Sequence, residues 1–272
     1  MPLTLSRVII LIGDDMKFFR IIIPVYNSEY VEQCIQSIEN QTFKDFIIIA
    51  INDMCTDDTF ERVKVLASQY DNIICLEPNK KLFIGGARNY GLHYEIDSEY
   101  TLYMDNDDWF DNDNVLLDIY KHIQENNKPD CVRLSYCCFG GTTKTYIQLE
   151  ENNPRDLVNS VWCAPWTKCV KSSLVVDFPE NTMIEDVVQH IAQLDVIETV
   201  SVLRKPVIVW NRNNKNSASL PENQQTLLNG KRISSIYRNV ADLMDLQCNH
   251  DYCEEHRKWR LQCYKDMVMK GV

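Results

Sequence analysis

The chain has 272 residues, 45% of them apolar, with only 8 Gly and 9 Pro. That is enough apolar side chain for a sizeable core, and it excludes a mainly disordered or low-complexity protein. With 28 Lys+Arg against 39 Asp+Glu the net charge is -11, which opposes nucleic-acid binding and demands a cation wherever a phosphate is held.

Residues 1–15 carry one apolar run, Val8 to Ile12, interrupted by Asp14 and Asp15. It is too short to span a membrane or to form a signal-peptide core, and 1–15 read as a leader or as the product of an upstream start, outside the fold. Phe18 to Pro24 is continuously apolar, as a strand buried on both faces requires. Val31, Cys34, Ile35 and Ile38 follow at helical spacing. Phe46 to Ile51 is a second buried strand, and Thr56 can cap a helix carrying Phe60, Val63, Ala67 and Tyr70. Asn72 to Leu76 is a short strand, Ala87 to Tyr94 a helix, and Tyr100 to Met104 a fourth strand. Four strands separated by three helices predict an α/β fold, a mainly parallel sheet flanked by helices.

Beyond Pro129 the pattern loosens. Cys131 to Tyr136 and Thr143 to Gln148 read as strands joined at Gly140-Gly141. Val187 to Leu194 reads as a helix, and Val200 to Trp210 as a strand around Pro206. Ile233, Ile236, Tyr237, Val240 and Met244 form one helical stripe, so a boundary near residue 220 separates 16–220 from a helical extension over 221–272. That extension either packs back on the main domain or docks on a membrane surface or a second copy of the chain.

The eleven cysteines are odd in number and contain no C-x-x-C pair. They read as reduced thiols of a cytoplasmic protein, soluble or peripheral at the inner face of a membrane. Cys248, His250, Cys253, His256 and Cys263 in the tail match no usual zinc spacing and read as ordinary helix residues.

The stretch Tyr103-Met104-Asp105-Asn106-Asp107-Asp108-Trp109 ends an apolar strand in three carboxylates. Ligands of open parallel sheets sit beyond the carboxyl ends of the strands. In an extended segment Asp105 and Asp107 point the same way and would repel without a cation, which oxygen ligands would make Mg2+, Mn2+ or Ca2+. The other reading is an acidic turn whose Asp107 or Asp108 caps the next helix.

Ile23-Pro24-Val25-Tyr26-Asn27, Asn52-Asp53, Gly86-Ala87-Arg88-Asn89-Tyr90-Gly91 and Asp105-Asn106-Asp107 together resemble the family 2 glycosyltransferases, which have the GT-A fold. Trp166-Thr167-Lys168, Glu185-Asp186-Val187 and Trp210-Asn211-Arg212, with Ser217 and Ser219, follow in the family's order, over roughly 17–220. The resemblance implies a GT-A catalytic domain over 16–220 that binds a nucleotide-sugar through Mn2+ or Mg2+. In it Pro24 to Asn27 form the loop under the nucleotide, with Val25 or Tyr26 against the base. Asp53 accepts from the base's imide NH, which favours UDP or dTDP while leaving GDP open. Arg88, Asn89 and Asn106 lie near the nucleotide. Asp105 contacts ribose or metal-bound water, Asp107 binds the metal, and Asp108 steadies Asp107 or helps bind donor. The family has Gly-Ser where this chain has Met54-Cys55, so the loop after the second strand loses an easy left-handed position and is expected to differ.

The resemblance also implies direct displacement with inversion onto a glycan or lipid-linked glycan hydroxyl, in polysaccharide or glycoconjugate synthesis. The general base falls in Glu185-Asp186, and a helix start favours the ionised form. Asp186 is favoured, with Glu185 as alternative or partner. Lys168 and Arg212 are candidate cations for the diphosphate or for acceptor groups, or solvated charges. Trp109 and Trp166 stand where they can stack on a sugar, whereas Trp162, Trp210 and Trp259 read as packing residues. A sugar-nucleotide nucleotidyltransferase would want a Gly-rich basic loop after the first strand, and a dehydrogenase G-x-G-x-x-G; neither is present. The rival from another class is a non-catalytic subunit that binds nucleotide-sugar or glycan on the same fold.

Overall fold

The computed structural model describes residues 16–147, 163–180, 182, 185–215 and 240–269. The leader, Trp162, Ser217, Ser219, Ile233, Ile236 and Tyr237 lie outside the described residues. The first half runs β1 (Lys17–Val25), α1 (Val31–Glu39), β2 (Phe46–Asn52), α2 (Thr59–Ala67), β3 (Ile73–Leu76), α3 (Phe83–Leu92) and β4 (Ser98–Tyr103). Next come β5 (Trp109–Phe110), α4 (Val115–Glu125), β6 (Cys131–Gly140), β7 (Thr143–Ile147) and β8 (Lys168–Lys171). The last are α5 (Glu185–Asp195), β9 (Val200–Asn211) and α6 (Asp251–Met269).

Among the described residues the strands form one sheet in the order β3-β2-β1-β4-β8-β6-β9-β5, with β7 on β6. β3, β2, β1 and β4 are parallel, as the alternation of strands and helices predicts. The rest is mixed, because β8 enters antiparallel between β4 and β6 while β6 and β9 run parallel. The β6–β9 register shifts between Leu134 and Tyr136, opposite Pro206, which has no N–H to donate. β6 and β7 form a hairpin across Gly140-Gly141, where Gly141 has a φ of 62°.

Side chains alternate across β1, so Phe19, Ile21, Ile23 and Val25 enter one core with α1, α2 and α4, while Ile22 enters another with Ala87 of α3. A third cluster joins Val187, Val188, Ile191 and Leu194 of α5 to Leu243, Cys253 and Tyr264 of the tail. The tail's described part thus packs back on the domain.

Several local expectations are corrected. The second helix starts at Thr59, whose N–H bonds Asp57 Oδ1 at 3.0 Å, while the Thr56 hydroxyl takes a bond from Asn27. Tyr70 lies past its end, and α3 begins at Phe83, ahead of Ala87. The periodicity gave no hint of β5, α4 or β8. The 52–57 loop keeps a left-handed residue without glycine: Met54 sits at φ 63°, exposed, inside a turn closed by Cys55 N donating to Asn52 Oδ1 at 2.9 Å. Met244 is 63% exposed and stands off the packed stripe that Val240 joins.

Candidate active site

The carboxyl ends of β1, β2 and β4 converge, and after β4 the chain turns instead of continuing extended: Asp108 N bonds Asp105 O at 3.0 Å. The turn, and not strand alternation, brings the acids together. Asp105 Oδ1 accepts from Arg88 Nη2 at 2.8 Å, Asp107 Oδ2 from Asn214 Nδ2 at 2.7 Å, and the buried Asp108 Oδ1 from Asn211 N at 2.8 Å. Asp108 therefore anchors the turn to the end of β9. Burial, then the Asp105 charge, pushes Asp107 up to about 6, and burial with both neighbours raises Asp108.

Arg88 is the hub. Its guanidinium is 2% exposed and donates to Asp105 and, through Nη1 at 2.6 Å, to Glu185 Oε1 in the first turn of α5. Burial pushes the Glu185 carboxyl up to about 7 and Asp186 adds to it, while the Arg88 charge opposes. The helices come this close because Gly85 has no side chain: a Cβ there would collide with Pro179 O and lie 3.2 Å from Glu185 Cγ.

Toward the expected nucleotide, Pro24 and Val25 are buried strand residues and present no side chain to a base. Tyr26 is 45% exposed, with Lys81 Nζ 3.4 Å above its ring centre. Asn27 is tied to Thr56 by both amide atoms, and Asn106 Nδ2 donates to Tyr26 O at 3.0 Å. Asp53 Oδ1 accepts from Leu82 N at 2.7 Å and Phe83 N at 3.0 Å, holding the start of α3, while Oδ2 faces Lys81 Nζ at 3.7 Å. Lys81 was not singled out from the sequence; its only signal was a Lys80-Lys81 pair ahead of the Gly-Gly-Ala-Arg stretch.

Other residues move away from the roles expected of them. The Asn89 amide clamps Phe178, donating to its O at 2.9 Å and accepting from its N at 2.8 Å. Trp166 is 3% exposed, packed against Tyr136 and Trp210, so no ring face meets a sugar. Trp109 is likewise buried against Tyr30 and Phe139. Lys168 is buried because β8 is an interior strand; Nζ donates to Cys163 O and Ala164 O, both at 3.1 Å, and does not reach a diphosphate. Arg212 is exposed, over the Trp210 ring. Trp259, expected to pack, is 53% exposed.

Asp186 stands beside Glu185, partly buried, with Cys163 Sγ 3.2 Å from Oδ2. All eleven cysteines are free thiols. Among the described residues no three His, Cys, Asp or Glu side chains converge to hold a metal, and no helix is long and apolar enough to cross a membrane. The acidic turn offers two carboxylates, a set that leaves positions for phosphate oxygens and water around Mg2+ or Mn2+.

The family model "Glycosyl transferase family 2" matches residues 20–170, more than half of the chain. A poly(ribitol-phosphate) beta-glucosyltransferase of Bacillus spizizenii is 30% identical over 171 residues, 59% of this chain and 27% of that one. The glycosyltransferase GlyA of Streptococcus pneumoniae is 36% identical over 106 residues, 39% of this chain and 15% of that one. The chain thus spans only a fraction of those relatives' length. Among solved structures, S. aureus TarS 1-349 in complex with UDP-GlcNAc superposes with a TM-score of 0.69 at 21% identity, covering 91% of this chain and 71% of that one. Mannosyltransferase PcManGT from Pyrobaculum calidifontis, in complex with GDP-Man and Mn2+, gives 0.60 at 14% identity over 94% and 75%. Both likenesses concern the fold, a GT-A sheet flanked by helices.

Proposed function

Because the chain belongs to glycosyl transferase family 2, we propose that it moves a sugar from a UDP- or dTDP-sugar to a hydroxyl of a glycan or lipid-linked glycan, with inversion. The observation that carries this reading is the acidic turn, where Asp105 and Asp107 stand together at the strand ends and burial, then the Asp105 charge, pushes Asp107 up to about 6. Asp107, with Asp105, would hold Mn2+ or Mg2+, which supplies charge neutralisation for the departing diphosphate.

Asp186 takes the acceptor hydroxyl's proton as that oxygen attacks the anomeric carbon. The bond from that carbon to the diphosphate breaks, so an α-linked donor gives a β-linked product and free nucleoside diphosphate. Glu185, bonded to Arg88, supports the base and holds the acidic turn at a fixed distance from it. Arg212 is an exposed cation available to donor or acceptor. Asp53 favours uracil or thymine over guanine: with Oδ1 bonded to two backbone N–H groups, Oδ2 suits a single imide donor, whereas guanine offers two donors side by side. TarS, described with UDP-GlcNAc, supports the same preference.

The test is a thermal-shift and hydrolysis screen of UDP-, dTDP- and GDP-sugars with and without Mn2+, alongside Asp107→Ala and Asp186→Asn. Metal-dependent stabilisation is expected, about 2.7 kcal/mol at a hundredfold excess over Kd. It should vanish in Asp107→Ala; Asp186→Asn should keep binding and lose turnover. No stabilisation by any nucleotide-sugar would replace this reading with a non-catalytic glycan-binding subunit.

A further inference from the structure

We propose that Cys163 is a positioning residue for Asp186, its thiol donating to Oδ2 so that Oδ1 alone faces the acceptor hydroxyl. The inference rests on the reading of Asp186 as the base. Cys163 Sγ lies 3.2 Å from Asp186 Oδ2. Burial, then the Asp186 charge, pushes this thiol up to about 12, so it stays protonated at neutral pH and acts toward a carboxylate as a donor only.

The thiol is brought to the carboxylate by the fold. Cys163 and Ala164 precede the 3₁₀ turn Pro165–Thr167. Lys168 Nζ holds the carbonyls of both residues at 3.1 Å and lies 3.3 Å from His190 Nδ1. His190 follows Asp186 by four residues on α5, hence on the same helix face. Thr167 Oγ1 donates to Ala164 O at 2.6 Å and fixes the turn further. One buried lysine thus ties the turn bearing the thiol to the face bearing the carboxylate.

An aspartate carboxylate turns easily about its last side-chain bond, and a base must keep one oxygen aimed at the proton it removes. A donor on Oδ2 stops that rotation. Hydrogen bonds to the ionised form also weaken a base, so a weak S–H donor orients Asp186 at smaller cost in basicity than a stronger donor would.

The test compares Cys163→Ala, Cys163→Val and Cys163→Ser with wild type, reading nucleoside diphosphate release from the nucleotide-sugar that stabilises the protein most in the donor screen. Melting temperatures identify any variant that fails to fold, and Ala and Val fail for different reasons. Loss of one hydrogen bond to a charged group predicts about a tenfold fall in kcat for Ala and Val. Donor KM should not change, and the acidic limb of the rate profile should move to higher pH. Ser restores a donor and should return to within about threefold of wild type, the remainder of the same bond energy. Wild-type kcat in Ala and Val, or an equal fall in all three folded variants, overturns the proposal while leaving Asp186 as base. Full turnover in Asp186→Asn, or none in wild type, removes the base reading and this proposal with it.

Discussion

An ammonium group buried beside an arginine holds its proton weakly, and Lys168 is in that position. Burial first, then the Arg133 charge, brings it down to about 7 from its ordinary 10.5. Below about 7 the folded and unfolded chains both carry the proton. Between about 7 and 10.5 the unfolded chain holds a proton that the folded one has released, so this residue's contribution to stability rises with pH. Relative to Lys168→Met, wild type should gain stability from pH 7 to pH 9, by at most about 1.4 kcal/mol per pH unit. Urea unfolding of both proteins at each pH reads this directly, and a pH-independent difference would show that the ammonium is solvated. In the sequence Lys168 looked like a surface cation of a motif. Its burial follows from β8 pairing with both β4 and β6, where Lys168 sits opposite Arg133, and nothing local to Trp166-Thr167-Lys168 encodes that pairing.

The element that sets the site's dimensions is α3. Asp53 receives its first backbone N–H groups, Arg88 extends to both the acidic turn and α5, and Gly85 allows the approach to Pro179. Adding a methyl group at Gly85 forces backbone atoms apart, since Pro179 O belongs to the main chain and cannot rotate away. Gly85→Ala should destabilise by roughly 1–3 kcal/mol and lower turnover by drawing Glu185 off Arg88. Thermal melts and nucleotide-sugar hydrolysis check it; a wild-type melt with wild-type rate would mean the 178–180 segment yields freely. The helix was recognisable from Ala87 onward. Its first turn was not, because Gly85-Gly86 lowers helix propensity there and the turn is held by the distant Asp53.

At the scale of the whole molecule, the sheet is covered on both faces and a separate cluster joins α5 to the tail. Asp195 at the end of α5 accepts from Asn249 N at 2.6 Å and His250 N at 2.9 Å, which fixes the start of α6. Removing residues 240–272 would uncover Ile191 and Leu194 and delete the buried Leu243, Cys253 and Tyr264. At about 1.5–3 kcal/mol for each large apolar side chain, the loss is several kcal/mol. The truncated protein should melt well below the full chain and self-associate, measured by calorimetry and by light scattering after size exclusion. An unchanged melting temperature in a monodisperse truncation would make the tail an independent appendage.

The strands of the first half, the bodies of its helices, the order of the motifs and the position of the acidic cluster were determined by the sequence alone. Each is written in residues close together in the chain, as periodicity, apolar runs and fixed spacings. The tertiary structure decided which motif residues face a ligand and which carry internal bonds. Arg88 and Glu185 stand 97 residues apart and Asp107 and Asn214 stand 107 apart, so their pairing depends on how α3, α5 and the end of β9 are brought together. Asn89, Trp166 and Lys168 kept their places in the pattern but turned inward, because burial belongs to the packed sheet and not to the segment. The same distinction governs Cys163: its spacing carried no signal, and only the turn held by Lys168 brings its thiol to Asp186.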